Sequence, residues 1–156
     1  MLQRGVVTVV PADDEWFYLE VDNDVDPKTV VVSSGYNPNR FEYLGPNFTG
    51  TRTYRVKLVR LGYVQNFKDA ENKADKLGYR LVEGQAREPF KAKFPKPASI
   101  DPIIFGGSGW QGLDGYVYVA YLHGFDDAWH SHFIWSHDNL SDNNFNDEWR
   151  WLVVGK

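Results

Sequence analysis

The chain has no cysteine. That excludes disulfide staples, zinc–thiolate centres and a thiol nucleophile, although it does not fix the compartment. There is one methionine, and no apolar run approaches the roughly 20 residues of a membrane span. The N-terminal MLQRGVVTVV lacks the long apolar stretch and small-residue cleavage site of a signal peptide. Asn47-Phe48-Thr49 has the spacing of a glycosylation acceptor, but without such a signal it carries little weight. No membrane partner is expected.

Positive charge is the second thing in short supply, and only in one half. Residues 1–96 carry 15 Lys and Arg against 13 Asp and Glu, a net of +2. Residues 97–156 carry only Arg150 and Lys156 against eight acids, a net of −6. Binding a nucleic acid by neutralising its phosphates needs a basic stripe. The distinctive surface here has the opposite sign, so no nucleic-acid partner is expected.

The third shortage is the sharpest. Between Gly112 and Asp147 there is no Lys, Glu, Gln or Met, whereas the other 120 residues contain 21 of them. About six would be expected in a window of that length. The same window holds all four histidines, His123, His130, His132 and His137, among many Tyr, Phe, Asp, Asn and Ser residues.

What remains is ordinary for one globular domain. The chain has 156 residues, 42% hydrophobic and 24% charged, with aromatics high at 16%. Val6–Val10, Trp16–Val21 and Thr29–Ser33 are β-branched or aromatic runs punctuated by Asp and Pro, and they read as strands of a β-rich N-terminal portion, residues 1–53. Tyr36–Thr51 reads as loop. Tyr54–Leu61 alternates polar and apolar residues, as a half-buried strand does.

The period then changes. Asn66 is a suitable N-cap; Phe67, Ala70, Ala74 and Leu77 recur at helical spacing; Gly78 suits the position after a helix end. This predicts a helix over 66–77. A second helix is expected within Glu83–Phe94, beginning near Glu88 with Pro89 in its first turn or kinked there. Ile103–Phe105, Tyr116–Leu122, Trp129–Trp135 and Trp149–Val154 read as strands.

His130-Ser131-His132 on a strand would point both imidazoles to one face, because side chains alternate. With His123, Asp126, Asp127 or His137 nearby, that spacing can hold a metal, although the sequence shows no pattern of residues that would orient such ligands. The same alternation turns Trp129, Phe133 and Trp135 toward a core. Val117 and Val119 are expected in the core and Tyr116 and Tyr118 on the surface. No nucleophile elbow, phosphate loop or metalloprotease helix is present. Gly106-Gly107-Ser108-Gly109 is not followed by a helix, which disfavours phosphate binding. Asp126-Asp127 and Asp147-Glu148 read as solvated turn residues. Tyr and His set among Asn, Asp, Ser and Gly are instead the chemistry of adaptable binding surfaces.

The order of these segments resembles a family. Strand YRVKLVRLGY leads into helix NFKDAENKADKLGYR, a second short helix, then PIIFGGSGW, and the chain closes on RWLVVGK. This is similar to small bacterial, archaeal and viral proteins with an ELVHFGR–helix–LGxRPAT–helix–PIVALGSxW order ending in RFLAVRK. These are the variable (target) proteins of diversity-generating retroelements, built on a C-type-lectin-like fold. The likeness covers about residues 54–156. Leu81-Val82-Glu83 stands where the family has Pro-Ala-Thr, and Trp151, Val153 and Gly155 replace Phe, Ala and Arg near the end.

The resemblance implies an α+β, C-type-lectin-like fold, with two helices packed on short antiparallel strands in a single domain, and a diversified region at about 110–150. It also implies a cause for the compositional gap. Such retroelements mutate adenines in AAC- or AAT-type Asn codons, and that substitution cannot produce Lys, Glu, Gln, Met or Trp. The first four are absent from the window, and its only tryptophans are Trp129 and Trp135.

The expected function is non-enzymatic binding of a protein or other macromolecule, with no cofactor or metal; the localisation stays open, a virion or cell surface being one place compatible with it. The expected contacts are Tyr116, Tyr118, Tyr121, His123, Phe125, Asp126, Asp127, His130, His132, His137, Asp138, Asn139, Asn143, Asn144, Asn146 and Asp147. The residues leave two alternatives open: a metal-dependent enzyme using the histidine cluster, and a viral or surface structural protein. Calcium-dependent sugar binding is not implied, because the Glu-Pro-Asn and Trp-Asn-Asp signatures are missing.

Overall fold

The computed structural model describes residues 9–99, 101–136 and 145–155. Its strands form one eight-stranded sheet, and three α-helices pack on it. The strands are β1 (Phe17–Asp22), β2 (Phe41–Tyr43), β3 (Thr51–Val59), β4 (Tyr79–Leu81), β5 (Ile103–Gly112), β6 (Val117–Phe125), β7 (Ala128–Ser136) and β8 (Arg150–Gly155). The main path runs β1-β3-β8-β5-β6-β7, with β2 paired to β5 and β4 paired to β8. The class is α+β, as expected.

Three expectations need correction. Thr29–Ser33 is not a strand but most of helix α1 (Pro27–Ser33). Asp26 caps it, its side chain accepting the Lys28 N–H at 3.0 Å, and Pro27 fits the first turn because its missing N–H would have no partner there. Val30 and Val31 bury one face, so tertiary packing overrides the β preference of a Val run. The described residues therefore hold three α-helices, where two were expected. Nor are all the strands short and antiparallel: β3, β6 and β7 have nine residues, β5 has ten, and β5 pairs with β8 in parallel. The Val6–Val10 expectation lies mostly outside the described residues; Val10 itself is buried in the core but not in a strand.

Helix α2 (Phe67–Lys76) forms where the spacing predicts it. The Asn66 side chain accepts the Asp69 N–H at 2.9 Å, and the Asp69 carboxylate accepts the Gln65 N–H at 3.0 Å, a reciprocal cap. Gly78 takes the left-handed conformation (φ 84°) that ends it. Ala70 and Ala74 are fully buried, and their small side chains let the helix lie close over β4 and β5. Helix α3 (Arg87–Lys93) starts one residue earlier than expected, after a single 3-10 turn at Gly84–Ala86.

The sheet is covered on both faces. Phe90 and Phe94 of α3 and Val30 and Val31 of α1 join Phe105, Trp110, Leu122, Trp129 and Phe133 in the first core. Ala70 and Ala74 of α2 join Ile104, Val119, Phe145, Trp151 and Val153 in the second. This double coverage decides which strand residues are wet.

The glycines of 106–109 have a packing role. β5 loses register with β6 between Phe105 and Trp110, and Gly107 donates its N–H to the Val82 carbonyl at 2.8 Å. A Cβ at Gly107 would lie 2.2 Å from the Leu81 carbonyl oxygen, so any larger residue would push the two segments apart. Ser108 Oγ then accepts the Gly84 N–H at 2.7 Å and donates to Gln85 Oε1 at 3.1 Å.

Arg87 ties three elements together from inside the protein. Its guanidinium donates to the Val30 carbonyl and to Ser33 and Ser34 Oγ at the end of α1, and to the His132 carbonyl in β7 at 2.8 Å. The adjacent Glu88 carboxylate accepts from Arg87 Nε at 2.9 Å. Burial lowers the Arg87 pKa, and the Glu88 carboxylate opposes that shift. The free carbonyls at a helix C-terminus favour a cation, so this residue both caps α1 and fixes β7 to the helix layer.

Candidate binding face on strands β6 and β7

β6 and β7 form a hairpin closed by Asp126-Asp127, with Phe125 paired to Ala128. Both turn residues have positive φ, 53° and 59°, as a two-residue type I′ turn requires. They therefore have a conformational role as well as a charge, in line with the turn reading.

Residues directly opposite on antiparallel strands share a face. His123 is paired with His130, and Tyr121 with His132, so two residues from each strand form a compact block. Ring centroids are 5.3 Å apart for Tyr121–His132 and 6.2 Å apart for His130–His132. Phe125 lies 6.1 Å from His130 and is 59% exposed. His130 is exposed; Tyr121, His123 and His132 are half-buried. Toward the sheet interior the next pair is Val119–Ile134, where the block runs into the second core.

The opposite face of β7 carries Trp129, Ser131, Phe133 and Trp135. Trp129 and Phe133 are each 7% exposed and belong to the first core, with Trp135 packed against it. Trp129 Nε1 donates to the Phe94 carbonyl at 2.6 Å. Ser131 Oγ donates to Glu88 at 3.0 Å. The alternation expected for this strand is therefore present.

For β6 the expectation needs correction. Tyr118 is buried, 8% exposed, among Phe41, Phe133 and Tyr36, and its hydroxyl donates to Asp114 at 2.5 Å. Burial and that acidic partner raise its pKa strongly. It is not a displayed contact. Tyr116 is half-buried and stacks on Trp135 at 4.6 Å. Val119 is core as expected, but Val117 is only half-buried. Period-two alternation separates two faces without saying which is wet; here the tyrosine face meets the first core.

A segment after the described gap completes the block. Trp149, not singled out from the sequence, packs edge-on to Tyr121 at 5.3 Å and to Phe145 at 5.0 Å. Asp101, Pro102, Tyr121, His123, Glu148 and Trp149 line a cleft of about 350 Å³. Arg60 holds this end, donating to Asp13 (2.7 Å), Asp101 (2.9 Å) and the Asp147 carbonyl (2.5 Å). These hydrogen bonds to carboxylates raise its pKa. Asn146 and Asp147 are exposed, and the Asn146 side chain accepts the Glu148 N–H at 2.9 Å. His137, Asp138, Asn139, Asn143 and Asn144 lie outside the described residues.

The electrostatics of the block are set by burial. The Tyr121 pKa is raised by burial. The His132 pKa is lowered, first by burial and then by the nearby charges of His130, His123 and Arg87. At neutral pH the His132 ring is therefore neutral, an aromatic surface with hydrogen-bonding nitrogens. Among the described residues no three His, Asp or Glu side chains come together to hold a metal ion. Also among them, no helix is long and apolar enough to cross a membrane. Comparison with protein-family models, with curated proteins and with solved structures gave no match for this chain.

Proposed function

We propose that this chain is a non-enzymatic binding protein, the variable protein of a diversity-generating retroelement on a C-type-lectin-like scaffold. Its β6–β7 face and the flanking 145–149 segment would contact a protein or other macromolecule. One observation carries the proposal. Within the window free of Lys, Glu, Gln and Met, the two tryptophans face the first core, while Tyr121, His123, Phe125, His130 and His132 face the other way. Adenine mutation of Asn codons cannot produce the residues that are missing, and all five outward residues are among those it can produce.

Physically, this is a rigid frame with a replaceable face. Substitutions at exposed positions generally change stability by less than about 0.5 kcal/mol. Aromatic and imidazole rings supply contact area at low cost in side-chain entropy, and Asn and Asp supply adaptable hydrogen bonds.

A library randomised at His123, Phe125, His130, Asn146 and Asp147 tests this. Most members should stay folded by protease resistance, and binders to arbitrary protein targets should be selectable. Widespread unfolding, or binders whose contacts map away from this face, would overturn it.

A further inference from the structure

If the β6–β7 face is the binding surface, its charge pattern narrows the partner. We infer that the cleft beside Tyr121 and Trp149 takes an arginine side chain from a basic segment of a partner protein; this rests on the proposed function above.

Several carboxylates around this face form no ion pair among the described residues. No Lys or Arg occurs between Pro97 and Trp149. Asp126, Asp127, Asp147 and Glu148 stand exposed around the aromatic and imidazole block. None of the ion pairs among the described residues uses their carboxylates. Two guanidiniums reach this end, and both are engaged elsewhere: Arg60 donates to Asp13, Asp101 and the Asp147 main chain, and the buried Arg150 donates to the Asp101 carbonyl. A surface with an apolar centre and a rim of one uncompensated sign selects a partner of the other sign and speeds its approach.

The shape of the cleft then favours arginine over lysine. The edge-to-face pair Tyr121–Trp149 and the His123 ring offer aromatic surface in a cleft that Glu148 also lines. A planar guanidinium can stack on such rings while its N–H fork engages a carboxylate. A lysine ammonium is a strongly hydrated point charge and loses more on entering. Acidic partners would meet the rim carboxylates unscreened at contact distance.

The test uses the intact protein and three peptides: alternating arginine and glycine, alternating lysine and glycine, and alternating glutamate and glycine. Binding is followed residue by residue with amide and side-chain NMR. The arginine peptide should shift Tyr121, His123 and Trp149 signals and bind several-fold tighter than the lysine peptide. Glu148→Gln should weaken it about fivefold, and so should raising salt from low to physiological strength. An unchanged affinity for Glu148→Gln, or shifts confined to another surface, would overturn the inference. Preference of this face for the glutamate peptide would overturn the arginine partner yet leave a displayed binding face intact. Loss of that reading itself would instead appear as unfolding of the randomised library.

Discussion

Adjacent residues of β7 should differ about tenfold in their contribution to stability. Trp129 is buried against Phe90, with ring centroids 6.1 Å apart, and its indole N–H serves the buried Phe94 carbonyl at 2.6 Å. Truncating a core aromatic to alanine costs about 3–5 kcal/mol through lost burial and the cavity left behind. Leaving the Phe94 carbonyl without its donor adds about 1–2 kcal/mol. Trp129→Ala should therefore cost about 4–7 kcal/mol, a large share of the roughly 5–15 kcal/mol available to a domain of this kind. Trp129→Phe keeps a ring in the site and drops the N–H, so about 1–2 kcal/mol is expected. His130→Ala removes an exposed ring from the other face and should cost no more than about 0.5 kcal/mol. Urea unfolding at constant slope gives all three values. A His130→Ala cost above about 2 kcal/mol, or a Trp129→Ala cost below about 1.5 kcal/mol, would refute the assignment of faces.

Two further outcomes follow from the same geometry. Arg87→Ala would remove a fully buried side chain and take the guanidinium from the buried Ser34 hydroxyl, the Val30 and His132 carbonyls and Ser33. A loss of about 2–4 kcal/mol, from the cavity and the lost charge-assisted hydrogen bonds, is expected in thermal or urea unfolding, and a loss below about 1 kcal/mol would show that the network contributes little. His132 should titrate below an ordinary histidine, because burial and neighbouring positive charge disfavour its proton. Protons then bind the unfolded chain first, so this contribution to stability is fully present above about pH 6.5 and is lost as pH falls through the lowered folded-state pKa. Imidazole NMR titration checks it: a His132 midpoint above that of a free histidine contradicts it, and His132→Asn should flatten the stability slope.

Local signals in the sequence were legible where local chemistry governs. Asn66, the Ala70 and Ala74 spacing and Gly78 delimit α2 because cap, stripe and left-handed exit all lie within one segment. The two faces of β7 were legible because Trp129 and Phe133 are large and apolar and His130 and His132 are polar.

Where distant parts decide, local signals misled. Val30–Val32 carry a strand preference, but Asp26, Pro27 and a buried Arg87 from a remote helix make the segment helical. Tyr118 has a polar tip and reads as displayed, yet Phe41 and Tyr36, from a stretch expected to be loop, cover it. The Gly106-Gly107 pair is explained by the approach of residues 81–83, which no spacing rule within 103–110 could reveal. Trp149 belongs to the site through its ring contact with Tyr121, 28 residues away, which no local pattern encodes.

The central claim is that outward residues of 112–147 vary because adenines in their codons are rewritten, and sequencing the DNA around the gene tests it most directly. A near-identical non-coding copy of the region encoding this window should lie close by, differing chiefly at adenines, with a reverse transcriptase gene beside it. The differing codons should include those for His123, Phe125 and His130 and spare those for Trp129 and Trp135. A neighbourhood with neither copy nor reverse transcriptase, or differences spread evenly over Trp129 and Phe133 as over His130 and His132, would contradict it.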